Sequence, residues 1–220
     1  MKFKKYILIG AAAAAIAFAG TLGTYAYLTD MGKLNNEFTI GRNNIDIQEE
    51  YNPPSELKQG DNTFIKEVQI ENTGDVDCYI RVFADFSDSK VKENAFLSPD
   101  KLTDPEDPGM RWVKATEYRQ FLSDNPDNHW VYVPLDPDNY LLGGYYYYDI
   151  PLAPGEKTTY LIRSVKVEFE DELDVQDFDI IISAESVQVI DKDGNEFTDE
   201  NNIPAWKKCW IEFMERRTVD

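Results

Sequence analysis

The sequence predicts a mainly β protein: an antiparallel β-sandwich with a long loop-and-helix excursion and a C-terminal helix. Three observations predict it. Cys78, Ile80, Val82, Ala84 and Phe86 alternate with Tyr79, Arg81, Phe83 and Asp85, and this period of two marks a strand half buried on a core. Gly, Pro, Asn and Asp clusters punctuate the chain at the spacing of short antiparallel strands. Near the end, Trp206, Trp210 and Phe213 repeat at helical spacing instead.

Taken in order, the first segment reads as a leader. Lys2, Lys4 and Lys5 precede the apolar run from Tyr6 to Ala19, and Thr24-Tyr25-Ala26 places small residues at the −3 and −1 positions of a signal-peptidase site. The run is about 14 residues, short of the roughly 20 that span a bilayer, so cleavage between Ala26 and Tyr27 is expected over a retained anchor. The product would be exported, with signal peptidase as its partner during export and no membrane attachment afterwards. The C-terminal ERRTVD carries no sorting signal of the LPxTG type.

Strands are expected over Ile45–Glu49 and Phe64–Glu71, separated by Lys58-Gln-Gly60-Asp, with Asn72-Thr-Gly74-Asp before the clean strand at Cys78. Residues 88–143 are rich in Asp, Pro and Asn and read as the excursion, with a short helix from Ala115 to Leu122. Pro154-Gly155 predicts a type II turn between YYYYDIPL and TTYLI. Val165, Val167 and Phe169 alternate with Lys166, Glu168 and Glu170 as a half-buried strand. Phe178, Ile180, Ile182 and Ala184 share one parity, then Val187 and Val189 take the other, which predicts a β-bulge near Glu185-Ser186. Asp193-Gly194 suits a tight hairpin. Asn202 and Pro204 stand where the cap and first turn of the terminal helix would be, and that helix is expected to cover one end of the sandwich. The layout is a signal peptide over 1–26, an N-terminal segment over 27–47, a sandwich domain over 48–200 and an amphipathic helix over 201–220.

Composition narrows the function. The chain has 220 residues, 22 Lys and Arg against 41 Asp and Glu, and a formal charge of −19. Phosphates would be repelled, so nucleic acid is excluded as a partner. Removing residues 1–26 takes three lysines and no acid, which brings −19 to −22. One histidine rules out multi-histidine metal sites and the HExxH motif. With 42% hydrophobic and 13% aromatic residues, the chain is too apolar for a disordered acidic tail.

Little in the chain points to catalysis. Asp191-Lys-Asp193-Gly194-Asn195 begins like a calcium loop, but Gly falls at position four and Glu196 holds position six, so a hairpin turn is the better reading. Weak calcium binding elsewhere on so acidic a surface stays open; no other cofactor is indicated. His129, beside Trp130, has no nucleophile motif near it and reads as a loop histidine. Carboxylate pairs for glycoside hydrolysis carry no weight in a chain with 41 acids. Tyr145, Tyr146, Tyr147 and Tyr148 on one strand would point two rings inward and two outward, where they are ordinary sheet aromatics or surface rings for sugars or a neighbouring subunit. Cys78 and Cys209 allow one disulfide outside the cell, or two separately buried thiols.

Several segments occur in one order: TYAYLTD after the apolar run, NEFTIG then NIDI, LKQGD, VQIENTGDVDCYIRV, GGYYYYDIPLAPGEKTTYLI and FDIIISAESVQVI. Over residues 1–190 this series resembles the SipW-dependent exported proteins of Gram-positive bacteria, the group containing TasA and the camelysin-like proteins. The resemblance implies a jelly-roll-like β-sandwich, export through a dedicated signal peptidase, and a role in biofilm matrix fibres. It also implies that an N-terminal segment of one subunit completes the sheet of its neighbour. On this sequence that role falls on residues 27–47, with Leu28, Phe38, Ile40, Ile45 and Ile47 as the inserted side chains. The alternative is that the segment folds back as the molecule's own edge strand. The metallopeptidase activity described for camelysin-like members is not expected here, because a histidine pair is lacking.

The expectation is a non-enzymatic, secreted structural protein of the extracellular matrix or cell surface, self-associating into filaments or joining other matrix proteins. An extracellular glycan- or host-surface-binding module is the runner-up, and a secreted hydrolase the third reading.

Overall fold

A computed structural model describes residues 43–104, 109–137, 140–191 and 193–217. The leader, the Ala26/Tyr27 junction and Leu28, Phe38 and Ile40 lie outside the described residues. Among the described residues, nine strands form two antiparallel sheets. The first, in spatial order, holds β1 (Ile45–Asn52), β2 (Gly60–Asn72), β8 (Ile162–Phe169), β4 (Ala95–Ser98) and β5 (Val113–Lys114). The second holds β6 (Trp130–Val133), β7 (Tyr145–Tyr148), β3 (Cys78–Phe86) and β9 (Ile180–Gln188). Three helices accompany them: α1 (Ser89–Glu93), α2 (Tyr118–Ser123) and α3 (Ala205–Arg217).

The sheets face each other across one core. Phe64, Val68, Ile70, Leu97, Val165 and Val167 come from the five-stranded sheet, and Cys78, Ile80, Val82, Trp130, Tyr146 and Tyr148 from the four-stranded one. Both alternating strands place their apolar parity inward, as predicted. The turns follow their residues too. Glu156 N–H donates to Ala153 O at 3.0 Å around Pro154-Gly155, with Gly155 at φ 82°, the positive value a type II turn requires. Asp191 Oδ1 accepts the backbone N–H groups of Asp193 and Asn195, closing the Gly194 hairpin. These bonds hold the Asp191 carboxyl below the usual carboxylate range, which marks a turn-forming aspartate.

Four expectations are corrected. The bulge lies in β2, where the register against β8 shifts between Ile65 and Val68; β9 pairs with β3 without interruption from Gln188 to Ile180. Residues 88–143 are loop- and helix-rich but also supply β4, β5 and β6, three short strands that join the two sheets. The terminal helix covers the outer face of the four-stranded sheet, where Trp206, Cys209, Trp210 and Phe213 pack on Tyr79, Val133, Leu142 and Tyr147. Its first N–H is capped by Asp199, whose Oδ1 accepts from Ala205 N at 2.8 Å; Asn202, at φ 64°, is not in capping geometry.

Candidate functional site

The features that can engage a partner lie along one side of the sandwich, where β1 and β9 end their sheets. Val189 N–H donates to Asp77 O, and Ser87 N–H donates to Asp179 O. With the β3–β9 register, these bonds assign the odd-numbered residues of β9 to the ladder with β3. The backbone N–H groups of Ile180, Ile182, Ala184 and Ser186 therefore face the open side, where no described strand pairs with them. Natural sheets blunt such edges with charge or proline. This one reads IIISAESVQ, and its single charge, Glu185, is taken by Arg81. β1 is the contrasting edge, with Asp46, Glu49 and Glu50 in its sequence and eight residues in register with β2. Ile45 and Ile47 pack against the core from β1, so these two candidates belong to the chain's own edge strand.

At the start of β9 the edge meets a cleft of about 160 Å³ whose lining mixes Tyr51, Pro53, Pro54, Leu57, Phe64 and Phe178 with the polar Ser55, Glu56 and Asp177. Tyr51 meets Phe64 edge-on at 5.9 Å, and Phe64 lies 6.4 Å from Phe178. Burial and the nearby Asp179 and Glu49 carboxylates push the Tyr51 hydroxyl pKa up. At the other end of β9, Ser186 Oγ donates to Asn43 Oδ1 at 3.2 Å.

The outward half of the tyrosine quartet is not a free surface, which corrects the surface-aromatic reading. Tyr146 and Tyr148 are in the core. Tyr147 is fully buried beneath α3, its ring 5.0 Å from Trp206 and its hydroxyl donating to Leu142 O at 2.7 Å. Tyr145 is half-buried against the Arg81 guanidinium, 4.2 Å from its ring centroid. Arg81 is the residue sequence reasoning missed. It is 2% exposed, its Nε donates to Glu185 Oε2 at 2.6 Å, and its other flank lies 4.5 Å from Trp210. Arg81 Nη1 and Trp210 Nε1 are buried without hydrogen-bond partners; stacking offsets part of that cost for the cation.

Cys78 and Cys209 are both free and buried, in clusters on opposite faces of the same sheet, so the structure holds two thiols and no bridge. Cys209 Sγ donates to Gln188 O at 3.0 Å. Burial pushes both thiols up to about 12, which suppresses thiolate chemistry.

Residues 2–96 match the family model described as camelysin metallo-endopeptidase, less than half of the chain, reaching through β3 and α1 into β4. No curated protein matches. The residues present do not fit the metal that this description implies. His129, the single histidine, bonds through Nδ1 to Asp149 Oδ1 at 2.9 Å, and among the described residues no three His, Cys, Asp or Glu side chains are grouped to hold an ion. Over its first 96 residues, then, the chain is similar to the camelysin family by sequence, in a part that carries three of the nine strands and the core positions Val68, Ile80 and Val82.

Proposed function

We propose that this chain is a secreted structural subunit of the extracellular matrix or cell surface, exported through a SipW-type signal peptidase, that assembles by strand insertion and catalyses no reaction. The N-terminal segment of one copy would add to the open edge of β9 in the next. The observation that carries this reading is the edge itself: nine residues with no proline and one charge, already neutralised. Because donor and acceptor are different surfaces, the contact is heterologous and propagates into filaments. Residues 27–44 suit the task electrostatically, since Asp30 and Glu37 are balanced by Lys33 and Arg42 while the mature chain as a whole carries −22. That overall charge opposes close approach, so salt, divalent cations or mild acid should favour assembly.

The glycan-binding alternative loses its aromatic platform with the burial of Tyr146, Tyr147 and Tyr148. Electron microscopy of the mature protein with and without residues 27–44 tests the proposal, because that deletion leaves β1 intact. Filaments from the intact chain alone are expected. Equal filaments from the truncated chain, or a monomer in every condition, would contradict it.

A further inference from the structure

The cleft at the start of β9 mixes aromatic rings with carboxylates, a combination that strand insertion does not require. We propose that it binds an amino sugar, a pyranose ring carrying a charged ammonium, as one unit of a polysaccharide outside the cell. The site does not rest on strand insertion and is separate from the tyrosine quartet. Its volume of about 160 Å³ lies below the roughly 300–1,000 Å³ of pockets for drug-sized ligands, so it takes a single ring.

Both walls are held in place before any ligand arrives. On one side, Pro53-Pro54 restrict the backbone where β1 ends, and the buried Asn62 side chain ties the loop that follows. Asn62 Nδ2 donates to Lys58 O at 2.7 Å and to Gly60 O at 3.0 Å, and Lys58 N–H donates to Asn62 Oδ1 at 2.9 Å. On the other side, Asp179 N–H donates to Ser87 Oγ at 2.8 Å and Ser87 N–H to Asp179 O at 2.9 Å. Phe178 is fixed between Phe64 and Phe86, with ring centroids 6.4 and 5.9 Å away. A cleft set in advance spares a small ligand the entropy of ordering it.

The chemistry of the lining selects the ligand. Tyr51 is half-exposed and Phe178 partly so, and such rings pack against the C–H face of a sugar. Glu56 and Asp177 are exposed and can accept from hydroxyls and from an ammonium; among the described residues, no lysine or arginine pairs with either. Lys66, 4.7 Å from the Tyr51 ring centroid, is already paired with Glu49, so the field in the cleft stays negative. The Tyr51 hydroxyl registers that field: burial first, then the Asp179 and Glu49 carboxylates, push its pKa up. Among the described residues, no three acids are grouped to hold a metal ion. A neutral sugar would forgo the charge of the carboxylates, and an alkyl ammonium would forgo Ser55 and the carboxylates as partners for hydroxyls. An amino sugar uses both. The mature charge of −22 draws such cations in from a distance, and a polymer of them would link several copies.

The test titrates the ¹⁵N-labelled mature chain with a glucosamine tetramer, its N-acetylated form and tetralysine, at about pH 6, where the amines and the carboxylates are charged. The glucosamine tetramer should shift amides within residues 51–57 and 177–178 and saturate, with the acetylated form and tetralysine roughly tenfold or more weaker. Glu56→Gln combined with Asp177→Asn should weaken binding roughly tenfold, as should Tyr51→Ala, each with the amide spectrum of the folded chain retained. Equal binding of the acetylated tetramer would overturn the proposal by removing the role of charge, and equal binding of tetralysine by removing that of the ring. Shifts spread over the acidic surface without saturation, or binding unchanged in the folded variants, would overturn the site. None of these outcomes depends on filaments, so each leaves strand insertion to its own test.

Discussion

The outward faces of the two sheets solve the same problem differently. On the five-stranded sheet, cations lie across aromatic rings and pair with acids. Lys166 reaches Glu168 at 2.6 Å over the Phe96 ring, and Arg163 reaches Glu67 at 2.8 Å over Tyr160. On the four-stranded sheet the outward side chains are Tyr79, Tyr147 and Val187, and α3 seals them. One ion pair, Arg81–Glu185, is trapped beneath that helix, where Met214 Sδ accepts from Arg81 Nη2 at 3.4 Å and Arg217 reaches Glu185 at 3.3 Å. A face whose ion pairs lie across its own rings, with Glu67 buried among them, supplies its own cover; a face given over to aromatic residues depends on one helix.

Mutations should separate the two faces by size of effect. Trp210→Ala removes a fully buried ring from the sealed face and should cost about 3–5 kcal/mol in urea unfolding, the largest loss expected of any single change here. Glu185→Ala leaves the Arg81 charge buried with no acid and should cost about 3 kcal/mol. Lys166→Ala on the open face should cost about 1 kcal/mol, and Arg111→Ala, from a half-exposed pair with Asp100, about 0.5 kcal/mol. If the open-face variants proved as damaging as Trp210→Ala, the distinction between the faces would collapse.

The same contrast extends to pH. Tyr79 and Tyr147 under α3 and Cys209 on it are each pushed up to about 12, as is Cys78 on the core side of the same sheet, with burial the largest cause. Their folded values lie above the unfolded ones. The stability they contribute is complete below about pH 8.5 for the thiols and 10 for the tyrosines, and is lost as pH rises toward 12. Alkaline denaturation should therefore begin with loss of the α3 contacts, followed by tryptophan fluorescence. A thiol reagent at pH 8 should label neither cysteine in folded protein and both after unfolding. On the acid side, hydrogen bonding from Arg111 lowers the Asp100 carboxyl. Its small contribution is present above about pH 4 and disappears as pH falls through its folded value.

Much of the sandwich was legible because strands covered on one face obey a period of two. Val165, Val167 and Phe169 against Lys166 and Glu168 show the rule holding. It misled in β9, where Ser186 and Gln188 face inward and Val187 faces α3, so the change of apolar parity imitates a bulge. The tyrosine quartet misled for the same reason, since a strand's sequence does not record a helix that arrives more than fifty residues later. β4, β5 and β6 were hidden by their brevity among Asp and Pro. The aromatic cleft could not be read at all, because it joins Tyr51, Phe64 and Phe178 across separate elements.

The central claim, that β9 is the acceptor edge, is tested most directly by residue-resolved amide hydrogen exchange on the mature chain before and after assembly. The amides of Ile181, Ser183, Glu185 and Val187 already bond to β3 and should be protected in both states. Those of Ile180, Ile182, Ala184 and Ser186 should exchange readily in the monomer and slow roughly tenfold or more in the assembly. Assembly that leaves the even-numbered amides exchanging at their monomer rates would contradict the account, because no strand would then have joined the open edge.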